Sequence, residues 1–244
     1  MLIAQLTDLH IKRDGKWAYR TIDTLSCLQR AVAHINELSP LPDWVVITGD
    51  LADFGERNEY EVLLPELQRL KPKLKIIPGN HDNREHLRHA LQGLTDFDHP
   101  DYCHFRETVG DYELIGLDTL VPGASFGLLS DASLAWLDQA LLDCQFRQAF
   151  VFMHHPPMAV GIHHMDVQKL QNDAALAAVL HKYSHAEGIV TGHLHRPHFC
   201  HLARVSRCGW GHHIGHAVTL DLSSDAVLVI SHRTASDPAV QADI

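Results

Sequence analysis

Two kinds of segment alternate along the chain. Short, nearly continuous apolar runs predict buried strands over residues 2–7, 44–48, 74–77, 113–117, 149–153 and 188–191. Between the first two runs, Ile22, Leu25, Leu28, Val32, Ile35 and Leu38 recur at helical spacing and predict a helix over residues 21–38. Strands that alternate with amphipathic helices are typical of an α/β domain.

The rest of the pattern extends this prediction to the end of the chain. Ser130 is a predicted N-cap of a helix whose inner face carries Leu134, Leu137 and Leu141. Further helices are predicted over residues 58–70 and 173–181. After His195 the helices stop, and residues 198–205, 217–222 and 226–230 are predicted strands. No repeat or low-complexity linker interrupts the chain, so we expect one domain over residues 1–244.

Composition narrows the class of partner. Lys and Arg number 20 against 30 Asp and Glu, and a net charge of −10 argues against a long nucleic acid as the main partner. No apolar run could span a bilayer, and no signal segment is present, so we expect no membrane contact. The five cysteines are an odd number without a CxxC pair, which favours reduced thiols and a cytoplasmic protein.

Histidine is the unusual component, with 21 residues. A count alone raises only the hypothesis of metal binding. The stronger signal is the position of polar residues directly after predicted strands, where ligands bind in open α/β sheets. The segments concerned are Thr7-Asp8-Leu9-His10, Thr48-Gly49-Asp50, Gly79-Asn80-His81-Asp82, His154-His155-Pro156-Pro157 and Gly192-His193-Leu194-His195.

The spacing of these residues favours two metal ions. Asp8 and His10 are two positions apart, as are His193 and His195, so each pair faces one side if the backbone is extended. With Asp50, Asn80 and one histidine of the doublet they provide seven oxygen and nitrogen donors, too many for one tetrahedral ion. A donor set without thiolate favours manganese, iron, zinc or cobalt. Gly49, Gly79 and Gly192 are expected to allow sharp turns beside these residues.

One competing motif points to a different chemistry. Residues 123–127 match the G-x-S-x-G pattern of serine hydrolases, which requires a strand running directly into the turn and a helix directly out of it. Asp118 to Pro122 separate this motif from the preceding strand, and the next helix begins only after Ser130. A loop is therefore expected here. No P-loop sequence is present.

The ordered set D-x-H, GD, GNHD, HHPP and GHLH resembles the calcineurin-like metallophosphoesterases, over almost the whole chain. It looks closest to the branch of bacterial cyclic-nucleotide phosphodiesterases and glycerophosphodiesterases. The resemblance implies an αββα sandwich of two mixed β-sheets flanked by helices, with a dinuclear metal centre between the sheet ends. Iron and manganese are the favoured metals.

The resemblance also implies roles for individual residues. Asp8, His10 and His195 would bind the first metal, Asn80, His154 and His193 the second, and Asp50 would bridge them. His81 would contact the substrate phosphate. Asp53, Asp82, His155 and His216 match positions around these ligands or the substrate, and a carboxylate there can fix the tautomer of a ligating histidine. His163, His164, His212 and His213 lie in predicted loops that could also line the pocket.

The implied reaction is hydrolysis of a phosphodiester by a hydroxide that bridges the two metals and attacks phosphorus. A 3',5'-cyclic nucleotide is the first expectation for the substrate. The alternatives are a glycerophosphodiesterase and a phosphoesterase that accepts both monoesters and diesters. A non-catalytic, histidine-rich metal-binding module remains a further alternative, because a fold does not fix a function. The expected partner is a small molecule, and a homo-oligomer is possible.

Overall fold

The computed structural model describes residues 2–18 and 22–195 in full, and beyond them the backbone of four strands between residues 198 and 231. The described α-helices are α1 (Thr24–Glu37), α2 (Arg57–Leu67), α3 (Arg84–Ala90), α4 (Asp131–Asp143), α5 (His163–Asp166) and α6 (Asp173–Leu180). The described strands are β1 (Leu2–Thr7), β2 (Trp44–Thr48), β3 (Lys73–Ile77), β4 (Phe105–Val109), β5 (Tyr112–Leu117), β6 (Gln148–Met153), β7 (Ala186–Thr191), β8 (His198–Leu202), β9 (Val205–Trp210), β10 (His216–Asp221) and β11 (Ala226–Ser231).

These strands form two mixed sheets. The first has the order β11-β10-β1-β2-β3, in which β1, β2 and β3 are parallel while β10 is antiparallel to both of its neighbours. The second has the order β4-β5-β6-β7-β9-β8, in which β5, β6, β7 and β9 are parallel. The predicted pair of mixed sheets is confirmed.

Three apolar clusters show how the layers stack. Val45 and Ile47 of β2 pack with helices α1, α2 and α3 in one cluster. Trp44 and Val46, on the opposite face of the same strand, pack against Phe152 of the second sheet in another. A third cluster joins the second sheet to α4 and α6. The strands are apolar without interruption because both of their faces are buried, and the result is the predicted αββα sandwich.

Most predicted elements are present with shifted ends. Helix α1 covers 14 residues of the predicted 21–38, and residue 21 lies outside the described part. The Ser130 side chain accepts the Ser133 N–H at 3.1 Å, so the predicted N-cap of α4 is confirmed. Helices α3 and α5 and strand β4 were not predicted; α3 and α5 are only seven and four residues long, and β4 has three consecutive polar residues at its centre.

One strand prediction is wrong. The segment 198–205 is not a single strand, because β8 ends at Leu202 and β9 begins at Val205 and pairs antiparallel with it. The two intervening residues, Ala203 and Arg204, include no glycine, proline or asparagine. A hairpin without these residues gives no turn signal in the sequence.

Candidate metal centre

The polar segments after five strands meet because the two sheets end at the same edge. In the first sheet, Thr48 at the end of β2 pairs with Ile77 at the end of β3. In the second sheet, Met153 at the end of β6 pairs with Thr191 at the end of β7. Buried Gln5 links the two edges, since its Nε2 donates to Thr48 Oγ1 at 2.6 Å and to the Thr191 carbonyl at 3.0 Å.

Asn80, His154 and His193, here called the second donor group, surround one point. His154 Nε2 lies 3.2 Å from Asn80 Oδ1 and 3.2 Å from His193 Nδ1. Donors bound to one ion at about 2.1 Å are about 3.0–3.4 Å apart in octahedral or tetrahedral geometry. The other ring nitrogen of His154 is already committed, because Nδ1 lies 2.8 Å from the Thr48 carbonyl. This contact leaves Nε2 as the free donor.

Asp8, His10 and His195, here called the first donor group, surround a neighbouring point. His195 Nε2 lies 3.3 Å from Asp8 Oδ1 and 3.3 Å from His10 Nε2. Asp8 and His10 are fully buried. An ionised carboxylate in such a place requires a compensating cation.

Asp50 lies between the two donor groups. Its Oδ2 is 3.6 Å from His10 Nε2 and 3.3 Å from His154 Nε2. One carboxylate therefore contacts a histidine from each group. The spacings and the all-oxygen-and-nitrogen donor set fit two metal ions that share a carboxylate.

Five of the seven predicted ligands have left-handed backbone conformations. Their φ angles are 55° at Asp8, 43° at His10, 52° at Asp50, 75° at His193 and 51° at His195. Such a conformation costs a non-glycine residue about 1–2 kcal/mol, and strain of this kind concentrates at functional sites. The condition of an extended backbone is not met at the Asp8–His10 and His193–His195 pairs, because all four residues have positive φ angles.

Of the three glycines beside the predicted ligands, two are required because no side chain would fit at their positions. Gly49 has a positive φ of 97°, as expected for a sharp turn. At Gly79, however, a Cβ would lie 2.2 Å from Asp50 Oδ1, and at Gly192 it would lie 2.1 Å from Thr7 Oγ1. These two positions are glycine because neighbouring loops approach them closely.

Charge is unevenly divided among the buried groups. Burial by itself raises the pKa of Asp50, but contact with His154 and then His10 outweighs it and holds that pKa well below its ordinary value. Burial likewise disfavours charged His154, yet Asp50 raises its pKa to about 9. For His193 the balance is opposite: burial, followed by repulsion from His154, lowers the pKa to about 3. Asp50 therefore attracts positive charge to the centre of the site.

Asp53 contacts a predicted ligand. Its Oδ1 lies 3.2 Å from His10 Nδ1, and its other oxygen lies 2.8 Å from Lys12 Nζ. This contact directs His10 Nε2 toward Asp50 and His195. On the opposite side of the site, the Thr7 hydroxyl donates to Asp8 Oδ2 at 2.7 Å.

Among the described residues, the ring of His81 is held through one nitrogen, Nδ1. Its Nδ1 donates to the Asp53 carbonyl at 2.7 Å, and its backbone N–H donates to Asp50 Oδ1 at 2.9 Å. The ring stands edge-on to His10, with centroids 4.7 Å apart. Since Nδ1 is occupied, Nε2 is the atom that can contact a substrate.

Asp82 holds backbone rather than a histidine. Its carboxylate accepts the N–H groups of Leu51, Ala52 and Gly79 at 2.9–3.1 Å, and the Tyr60 hydroxyl at 2.9 Å. Burial, followed by repulsion from Asp50, raises its pKa to about 6. The expectation that Asp82 fixes a ligand tautomer is therefore replaced by a role in joining the loops that carry Asp50 and Asn80.

The last two predicted residues lie beside the donor groups. His155 is fully buried; its Nδ1 lies 2.7 Å from Thr119 Oγ1, and its ring is 4.8 Å from that of His193. One ligand atom each of His154, His155 and His193 lies within 4.8 Å of the others, so the expectation that His154 is the ligand and His155 its neighbour stays a prediction. His216 begins β10 opposite Thr7, but its side chain lies outside the described residues, as do His212 and His213.

A cavity of about 310 Å³ opens onto the donor groups. Leu194 and five predicted site residues form one part of its lining: Asp50, Asn80, His81, His193 and His195. His164, Met165 and Gln168 form the rest. His164 was one of the loop histidines expected near the pocket, whereas Met165 and Gln168 were not predicted. No sequence signal marks them, since their position depends on the path of the loop after β6.

Two other features of the sequence, Asp118 after β5 and the G-x-S-x-G segment, lie outside the donor groups. Asp118 directly follows β5, yet its carboxylate pairs with Arg84 at 2.6 Å. The G-x-S-x-G segment lies in the connection between β5 and α4, where neither element adjoins it. A Cβ at Gly127 would lie 2.5 Å from the His155 ring, so this segment packs behind the site.

Comparison with known proteins identifies the family. Residues 1–197 match the model of the calcineurin-like phosphoesterases, and the chain belongs to this family. A probable glycerophosphodiester phosphodiesterase, GpdQ, from Arcobacter nitrofigilis is 37% identical over 236 residues, 93% of this chain and 83% of the relative. A probable cyclic nucleotide phosphodiesterase from Rhodopseudomonas palustris is 34% identical over 243 residues, 96% of this chain and 85% of the relative.

A solved structure supports the same fold. A dimetal phosphatase from Danio rerio superimposes with a TM-score of 0.73 at 16% identity, covering 94% of this chain and 99% of its own. Together the family and the relatives confirm the predicted class, a metal-dependent phosphodiesterase, and family membership implies two divalent metal ions. No helix among the described residues is long and apolar enough to cross a membrane.

Proposed function

We propose that the first donor group holds one divalent cation, that the second donor group holds another, and that Asp50 bridges them for the hydrolysis of phosphodiesters. The observation that carries this proposal is the position of Asp50 Oδ2, within 3.6 Å of His10 Nε2 and 3.3 Å of His154 Nε2. When bound, two cations stabilise charge on the phosphoryl oxygens and increase the acidity of the attacking water.

Two further residues, Asn80 and His81, have separate roles in the proposed reaction. Asn80 is a neutral donor, so the second position carries less negative charge than a third carboxylate would give it. His81 presents Nε2 to the cavity because its Nδ1 is held by the Asp53 carbonyl. From this position it donates a hydrogen bond or a proton to a phosphoryl or leaving-group oxygen, a contribution typically of about 10²–10⁴-fold.

Iron and manganese are the metals we favour. The donor groups contain imidazole, carboxylate and amide, and thiolate is absent from the predicted set. Such donors suit manganese, iron, zinc and cobalt, and availability decides among them as much as affinity does.

Small phosphodiesters are the proposed substrates. Cyclic nucleotides and glycerophosphodiesters are the two candidate types, supported by the relatives from R. palustris and A. nitrofigilis respectively. The acidic net charge of −10 disfavours long nucleic acids. We also propose a single domain over residues 1–244. We further propose a cytoplasmic location, which the free, buried thiols of Cys27, Cys103 and Cys144 support.

Hydrolysis of bis-p-nitrophenyl phosphate by manganese-loaded protein tests this function. We expect turnover that a chelator abolishes and that a serine-reactive phosphonate leaves unchanged. Protein that binds two equivalents of manganese without hydrolysing this diester would instead be a non-catalytic metal-binding module. Rates on cyclic AMP, glycerophosphocholine and p-nitrophenyl phosphate then separate the two diester types from a monoesterase.

A further inference from the structure

The wall of the cavity opposite the donor groups has no part in the reaction described so far. It consists of His164, Met165 and Gln168, in and just after helix α5. His164 is exposed, whereas Met165 and Gln168 are partly buried. A substrate phosphate held at the donor groups would place its alcohol portion against this wall or toward the cavity mouth.

This wall is fixed at both ends. Before α5, the Asp166 carboxylate accepts the N–H groups of Val160 at 2.7 Å and Gly161 at 3.2 Å. After α5, Leu170 donates to the Pro156 carbonyl at 2.8 Å, and Gln171 donates to the Gly127 carbonyl at 2.8 Å. Met165 packs against the apolar cluster of the second sheet. Side chains on so well anchored a segment can select a substrate by position.

The polar side chains of the wall are an imidazole and an amide, and both keep hydrogen-bonding atoms without a partner among the described residues. Gln168 Nε2 donates to the His164 carbonyl at 2.9 Å, so its Oε1 is directed away from this bond and can accept. Among the described residues, no hydrogen bond reaches the His164 imidazole. No lysine or arginine lines the described cavity, so it offers no protein cation for a second phosphate. An amide acceptor beside an imidazole matches a hydroxyl group, which both donates and accepts.

We propose that His164 and Gln168 recognise a hydroxyl group on the alcohol portion of the diester, and so determine substrate specificity. This inference rests on the proposed phosphodiesterase function. The hydroxyl has two possible sources, the 2'-hydroxyl of a cyclic nucleotide or the diol of a glycerophosphodiester, and the same pair of side chains could serve either.

Paired substrates that differ in hydroxyl groups test the proposal. The first pair is cyclic AMP and 2'-deoxy cyclic AMP, and the second is glycerophosphocholine and n-propyl phosphocholine. The readout is the ratio of kcat/KM within each pair, for wild type, His164→Ala and Gln168→Ala. We expect each variant to lower this ratio by about 3- to 10-fold in at least one pair, as the loss of one hydrogen bond implies. The pair affected identifies the source of the hydroxyl.

His163→Ala is the matched control, since His163 is exposed on the same helix but does not line the cavity. It should keep the wild-type ratios. Gln168→Ala also removes the bond to the His164 carbonyl, so His164→Ala, which leaves that carbonyl intact, is the independent variant. Ratios unchanged by both variants in both pairs would overturn the proposal. Wild-type protein that hydrolyses no diester, including bis-p-nitrophenyl phosphate, would instead overturn the proposed function.

Discussion

Two buried histidines in this molecule, His154 and His104, show opposite electrostatic behaviour. At the donor groups, imidazole nitrogens face one another and two aspartates, with His154 Nε2 3.3 Å from Asp50 Oδ2. At the second location, His104 is stacked between Tyr102 and Trp136, with ring centroids 5.2 Å and 4.8 Å away. His154 and His104 are both fully buried, yet the pKa of the first is raised to about 9 and that of the second is lowered to about 3.

The difference comes from the partners and not from burial. His104 satisfies both ring nitrogens within the protein, because Nε2 lies 3.0 Å from Ser133 Oγ and Nδ1 accepts the Asp118 N–H at 3.0 Å. Burial, followed by repulsion from His99, Arg84 and Arg88, then keeps the ring neutral. His154 Nδ1 lies 2.8 Å from the Thr48 carbonyl, whereas its Nε2 lies 3.3 Å from the Asp50 carboxylate. For these two histidines, the presence or absence of a carboxylate partner therefore decides the direction in which the pKa shifts.

The largest effect is expected from removal of the Asp50 carboxylate, the group that distinguishes the surroundings of His154 from those of His104. Asp50→Ala leaves the histidines of both donor groups without their shared anion, so we expect loss of bound metal and a fall in diesterase activity of at least about 10³-fold. Metal analysis and the rate on bis-p-nitrophenyl phosphate measure the two effects. Asp96→Ala, which removes an exposed aspartate, is the control. A metal-replete Asp50→Ala protein with normal turnover would rule out the bridging role.

Substitution of His81 should lower the catalytic rate without lowering the metal content. Its Nε2 is the uncommitted nitrogen in the cavity, so His81→Ala should lower kcat by roughly 10²–10⁴-fold while both metals stay bound. The rate loss should be smaller for p-nitrophenyl esters than for esters of alkyl alcohols, since an aryl leaving group depends less on a proton donor. Loss of metal in this variant would show that His81 is a ligand.

Asp53 should have a smaller effect, because it acts through His10. Asp53→Asn removes the carboxylate that lies 3.2 Å from His10 Nδ1, and we expect manganese affinity or activity to fall roughly 10- to 100-fold. Lys12→Met is the matched control, since it breaks the 2.8 Å Lys12–Asp53 ion pair without removing the carboxylate. If the two variants behave alike, the ion pair matters and the contact to His10 does not.

The smallest expected effect concerns the stability contributed by His104. Its pKa is about 3 in the folded protein against an ordinary value of 6.5, so the unfolded chain binds the proton first as the pH falls. The contribution is complete above pH 6.5 and decreases toward pH 3, by roughly 2 kcal/mol at pH 5. Urea unfolding at pH 7 and pH 5 should show a smaller loss of stability for His104→Gln than for wild type. Equal losses would show that His104 does not titrate on unfolding.

Much of the fold and the order of the site could be read from the sequence. A strand that is apolar on both faces, such as β2, requires a covering layer on each side of its sheet. Asp, His and Asn directly after successive strands indicate ligands at one sheet edge. This local information was sufficient to select Asp8, Asp50, Asn80 and His154 as candidate ligands. It did not predict the division between β8 and β9 or the position of Gln168 in the cavity, because neither leaves a compositional signal.

The tertiary structure decided how these residues are used. The sequence determined the α/β layering and the set of candidate ligands, because periodicity and residue type are properties of the local chain. Only folding determined that Asp8 and His10 reach one point through left-handed backbone conformations, with φ of 55° and 43°. Folding also turned Asp82 toward backbone amides and placed both ring nitrogens of His104 in hydrogen bonds with Ser133 and Asp118, because contacts between residues far apart in sequence depend on how the two sheets pack.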